Sequence, residues 1–105
     1  MVEKHMDHTS QKFIEAARKI FKSCFKGCAD PEDIGKAVYL AAEDPGEWAP
    51  KSILVVHTEG GIPDRFYYPS WEKCWDKAEK KLSALLGKEA YFESINGAVT
   101  ALYWV

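Results

Sequence analysis

Apolar positions recur at two different periods along this chain, and the switch between them outlines its elements. Phe13, Ile14, Ala17, Ile20, Phe21, Cys24 and Phe25 fall three to four residues apart, which is the stripe of an amphipathic helix. Thr9 or Ser10 can cap its start, because a side-chain oxygen accepts from the free N–H groups of the first turn. Gly27 can close it in the left-handed conformation. Asp30-Pro31-Glu32-Asp33 opens a second helix: Asp caps, Pro suits the first position, and the acids meet the positive end of the helix dipole. Ile34, Ala37, Val38 and Ala41 are its expected stripe, and Asp44-Pro45-Gly46 its expected end.

The pattern then changes. Ile53-Leu-Val-Val56 is a continuous apolar run bounded by turn residues, as in a strand buried on both faces. Thr58 to Asp64, with Gly60-Gly61 and Pro63, is turn chemistry, and Arg65 to Tyr68 can return as a second, aromatic strand. Ser70 caps a third helix in which Trp71, Cys74, Trp75, Ala78, Leu82, Leu85 and Leu86 form the stripe and Gly87 the stop. Two β-prone runs, Ala90 to Ile95 and Ala98 to Val105, flank Asn96-Gly97, the residues a tight type I′ hairpin turn requires.

A two-residue turn there sets Ile95 opposite Ala98, Phe92 opposite Ala101 and Tyr91 opposite Leu102. One face then collects Ala90, Phe92, Val99, Ala101 and Tyr103 and is expected to meet the helices. The other presents Tyr91, Leu102 and Trp104 beside Glu93 and Thr100, and exposed apolar patches of this kind mark interaction surfaces. The expected fold class is therefore α+β, in the order α-α-β-β-α-β-β, with an antiparallel sheet packed by helices. Residues 1–8 are read as a flexible lead-in and 9–105 as a single domain.

Composition narrows the picture further. A chain of 105 residues with 47% hydrophobic positions can bury one core without staples. Its formal charge of −2 does not advertise a nucleic-acid partner. No apolar run approaches a membrane span and the first residues lack the apolar region of a secretory signal, so a soluble, cytoplasmic protein is expected. Three cysteines, an odd number in a chain with its own core, fit reduced thiols better than a disulfide framework.

Candidate chemistry is sparse. His57, Glu59 and Asp64 flank the Gly-Gly turn, where a strand-end histidine with nearby carboxylates could serve as a general base or bind a small ligand or metal, and Arg65 could hold an anion. The order His57-Thr-Glu59 followed by Pro69 and Cys74 lacks the Pro-Cys-x-x-Cys of zinc deaminases. Cys24, Cys28 and Cys74 have no paired-ligand spacing, and His5 and His8 lie in the lead-in, so no metal site and no cofactor are expected. Trp71 and Trp75 fit the core stripe. Lys12, Arg18, Lys19, Lys22 and Lys26 make a basic helix face, expected to be solvated rather than bound to nucleic acid. The functional expectation is a non-enzymatic binding module that associates with itself or another protein through Tyr91, Leu102 and Trp104. The alternative is an enzyme or small-ligand site at His57, Glu59 and Asp64.

Overall fold

The computed structural model describes residues 5–27, 31–57, 71–96 and 98–105, leaving aside the side chains of Pro31 and Trp71. Within them the chain runs α1 (Gln11–Cys24), α2 (Pro31–Lys36), β1 (Val38–Leu40), a single 3-10 turn (Ala41–Glu43), β2 (Leu54–His57), α3 (Trp71–Leu86), β3 (Ala90–Ser94) and β4 (Val99–Trp104). The order is α-α-β-β-α-β-β, and the four strands form one antiparallel sheet in the spatial order β1-β2-β4-β3.

The long helices form for the reasons their sequences suggest. Ser10 caps α1, its Oγ accepting from the Phe13 N–H at 3.1 Å, and Gly27 follows the helix at a φ of +87°. Gly87 takes a φ of +73° after α3, and the N–H groups of Gly87 and Lys88 both donate to the Ser83 carbonyl. The stripes of α1 and α3 bury Phe13, Ile14, Ala17, Phe21, Cys74, Ala78 and Leu82 against one face of the sheet, where Val38, Leu40, Leu54, Val56, Ala90 and Leu102 meet them. Trp75 stands edge-on to Phe21, Phe25 and Phe92 at centroid distances of 5.6, 5.1 and 4.9 Å, so it is a core ring. The side chains of Cys24 and Cys74 are buried in this layer. The chain ahead of α1 is tied to this layer as well, the Met6 N–H donating to the Leu85 carbonyl at 3.1 Å.

Two sequence expectations need correction. The second helix does not continue through Val38 and Ala41: it ends at Lys36, and Val38–Leu40 is a strand paired with Val56, Val55 and Leu54. The apolar run from Ala37 to Ala42 is too short for its period to decide between helix and strand. β2 decides it, because a strand buried on both faces leaves costly unpaired backbone groups unless each edge finds a partner. The strand expected over Arg65 to Tyr68 lies outside the described residues.

The register of the last hairpin also differs from expectation. Phe92 pairs with Leu102, Tyr91 with Tyr103 and Ala90 with Trp104, one residue away from the expected pairing. The Ile95 N–H donates to the Val99 carbonyl at 2.8 Å, so three residues rather than two separate the closing pair. Asn96 is the cause: its Oδ1 accepts from the N–H groups of both Ala98 and Val99, at 2.8 and 3.0 Å, drawing Ala98 into the turn. A one-residue slip turns every side chain of β4 to the other face. Leu102 is consequently sealed under the helices, and Trp104 is half-buried on that same side, with the His8 ring edge-on at 5.4 Å and Lys88 Nζ at 5.3 Å. Val99, Ala101 and Tyr103 occupy instead the other side, helix-free in the sense that no described helix covers it.

Both outer edges of the sheet are engaged by helix side chains. Arg18 of α1 donates from Nε and Nη2 to the Val38 carbonyl of β1, at 3.2 and 3.0 Å. On β3, the Ala90 N–H donates to Ser83 Oγ and the Phe92 N–H to Glu79 Oε2, both from α3. Such contacts blunt an edge that would otherwise template pairing with another chain.

Candidate functional site

Among the described residues, the ionisable groups that the fold draws together most tightly are His57 and Asp44. His57 ends β2 on its helix-free side, and Asp44 begins the loop that follows the 3-10 turn. Asp44 is the buried charged residue of the described chain, its side chain wholly shielded while that of His57 keeps 23% exposure. Asp44 Oδ1 lies 2.6 Å from His57 Nε2 and also accepts from the Gly46 N–H at 3.2 Å, while Oδ2 accepts from the Trp48 N–H at 3.0 Å. The Asp-Pro-Gly sequence places the first N–H there, since Asp bonds its own backbone two residues on.

Burial pushes the Asp44 carboxyl up, but the bonds from the Trp48 N–H, His57 and the Gly46 N–H, together with the attraction of His57, outweigh it and leave the group below its ordinary value. An ionised carboxylate only accepts, so Nε2 of His57 carries the proton of the short bond. In the neutral imidazole, Nδ1 is then the basic atom, and it has no partner among the described residues. The Tyr39 ring stands edge-on to the imidazole at 5.4 Å. This is a positioned histidine with an orienting acid. It equally clamps the loop from Asp44 to Trp48 onto the strand.

The second feature is the helix-free face of the sheet. Val55, Val99 and Ala101 are buried there with Ala49 of the loop, and Ile95, Ala98 and Tyr103 pack around them. At the β3–β4 end, Tyr91 and Tyr103 are direct cross-strand partners with ring centroids 6.0 Å apart, and Tyr91 remains 38% exposed. Glu93 shares this face beside Ala101.

Of the residues that the sequence singled out, Tyr91 stays on this open face, whereas Leu102 and Trp104 are turned to the helices. His57 is at a strand end as expected, but the carboxylate beside it is Asp44. Glu59, Asp64 and Arg65 lie outside the described residues, as does Cys28. In the sequence, Asp44 reads as a helix terminator and Tyr103 as a residue of the helix-facing side. An Asx turn at Asp44-Pro-Gly was legible, but no spacing rule joins it to a histidine thirteen positions on. Among the described residues no group of three or more His, Cys, Asp or Glu is placed to hold a metal ion, and no helix is long and apolar enough to cross a membrane. Comparison with protein-family models, with curated proteins and with solved structures finds no match to this chain.

Proposed function

We propose that this chain is a non-enzymatic binding module that associates weakly with a second copy of itself through the helix-free face of its sheet. The observation that carries the reading is the cross-strand Tyr91–Tyr103 pair, an aromatic surface left open on the side that no described helix covers. Tyrosine suits such a role, since its ring supplies contact area at small entropic cost and its hydroxyl stays hydrated or bonds across an interface. Glu93 and His57 are the non-tyrosine ionisable side chains at outward strand positions, and a net charge of −2 gives two copies little reason to repel. The open part of the face, essentially Tyr91, Glu93, Ile95, Ala98 and Tyr103, is far smaller than the roughly 20–30 residues a side of a stable complex.

Association is therefore weak, with a dissociation constant on the order of 100 μM. Sedimentation equilibrium tests this: the average mass should climb from the 11.9 kDa of one chain toward twice that value as concentration rises, and Tyr91→Glu should hold it at the monomer. A chain that stays monomeric up to about 1 mM, or a dimer indifferent to Tyr91→Glu, contradicts the proposal.

The 2.6 Å bond between His57 and Asp44 favours a second reading, general-base chemistry at Nδ1 of His57. A generic activated ester such as p-nitrophenyl acetate is the appropriate probe. Under this reading its hydrolysis exceeds that of His57→Ala, which retains His5 and His8, and drops likewise in Asp44→Asn. Equal rates in all three proteins remove it.

A further inference from the structure

We infer that the cleft between α1, α2 and the edge of β1 is a binding site for a small organic phosphate of about nucleotide size. The cleft is open to solvent, has a volume of about 490 Å³ and is lined by Arg18, Lys22, Glu32, Gly35, Lys36 and Tyr39. Its volume falls in the range of ligand pockets, roughly 300–1,000 Å³. Three cations meet a single carboxylate there, in a chain whose overall charge is −2. The concentration of positive charge is thus local.

The cations are arranged rather than merely crowded. Arg18 spends Nε and Nη2 on the Val38 carbonyl, which fixes the plane of its guanidinium and leaves Nη1 out of that bond. The ammonium groups of Lys22 and Lys36 have no hydrogen-bond or ion-pair partner among the described residues. Gly35 explains how Lys22 reaches the site. A Cβ at position 35 would stand 2.4 Å from Cε of Lys22, so the lysine stem lies across the bare backbone of α2 and buries it. Glycine in a helix interior is about 1 kcal/mol worse than alanine. Gly35 is the penultimate residue of α2, and its missing Cβ leaves the room that the lysine stem occupies.

A fixed guanidinium and two unpaired ammonium groups match the double charge and several acceptor oxygens of a phosphate better than the single charge of a carboxylate. The cleft is larger than inorganic phosphate alone would fill, which leaves room for an organic part between the cations and the β1 edge at Tyr39. Extended nucleic acid fits less well, because the three cations line a single cleft and the chain as a whole is acidic. This site is separate from the tyrosine face and does not depend on it.

The test is calorimetric titration of the whole chain with adenosine 5′-diphosphate, inorganic phosphate and a single-stranded RNA, at about 20 mM salt, where screening of exposed charges is weak. The diphosphate should bind one to one with a dissociation constant below about 1 mM, and inorganic phosphate should compete more weakly. Lys22→Glu and Lys36→Glu should each weaken it by about tenfold or more, whereas Lys81→Glu on α3 should not. Gly35→Ala is the decisive variant: displacing Lys22 should weaken binding while the thermal midpoint holds or rises. Absence of diphosphate binding, binding unmoved by the Lys22 and Lys36 variants, or RNA that displaces the diphosphate at equal phosphate concentration overturns the inference.

Discussion

Replacing Asp44 by alanine removes three acceptor contacts at once, to the N–H groups of Gly46 and Trp48 and to Nε2 of His57. A hydrogen bond to a charged group contributes about 1.5–3 kcal/mol, but Gly46 and Trp48 are exposed, so water can take over much of the loss at their N–H groups. The half-buried His57 cannot be rehydrated as fully. We expect Asp44→Ala to cost about 2–3 kcal/mol at pH 7 and to lower the thermal midpoint by about 10–20 °C. The sign with pH follows from the depressed carboxyl. Its contribution is fully present above the unfolded carboxyl pKa of about 3.9 and is lost as pH falls through the lower folded value. The gap between variant and parent should therefore be widest near neutrality and close in acid. Urea denaturation followed by far-ultraviolet circular dichroism at pH 7, 4 and 2.5 measures it, and a double-mutant cycle with His57→Ala isolates the pair, with an expected coupling of about 1.5–3 kcal/mol. A loss below about 0.5 kcal/mol at pH 7, or a gap that widens toward acid, refutes the reasoning.

Leu102→Ala should cost about 2–5 kcal/mol in denaturant midpoint experiments, because Leu102 is sealed under the helices, while Tyr91→Ala should stay within about 1 kcal/mol. Similar losses at the two positions would place the β4 side chains wrongly. Glu79→Ala, which strips the acceptor from the Phe92 N–H on the outer edge of β3, should cost about 1 kcal/mol, and Glu79→Gln, which keeps an oxygen there, less than half of that by the same assay.

The helices α1 and α3 were legible because their stripes are long and their stops are glycines at positive φ, local features that tertiary packing reinforces. The extended character of β2, β3 and β4 was legible for similar reasons. The fate of Val38–Leu40 was not, because those residues become a strand only in the presence of β2, fourteen or more positions further on. Nor was the register of the last hairpin. Asn96-Gly97 announces a turn, yet whether Ala98 joins it is set by which N–H groups the Asn96 side chain captures. That one-residue choice moved Leu102 and Trp104 out of the expected interaction face and Tyr103 into it. The site beside His57 shows the same limit: the histidine was visible at a strand end, whereas Asp44 reaches it only because β1 and the 3-10 turn carry the loop back across β2. The basic face of α1 was visible too, whereas the path of Lys22 over α2 at Gly35 depends on how the two helices pack.

The pairing of β3 with β4 decides which rings face outward, and nuclear Overhauser contacts between backbone Hα atoms read it directly. Narrowly spaced antiparallel pairs bring Hα atoms of opposite residues together. Such contacts are expected between Phe92 and Leu102, between Ala90 and Trp104 and between Ser94 and Thr100. Contacts shifted by one residue, from Phe92 to Ala101, would return Leu102 and Trp104 to the open face and contradict this pairing.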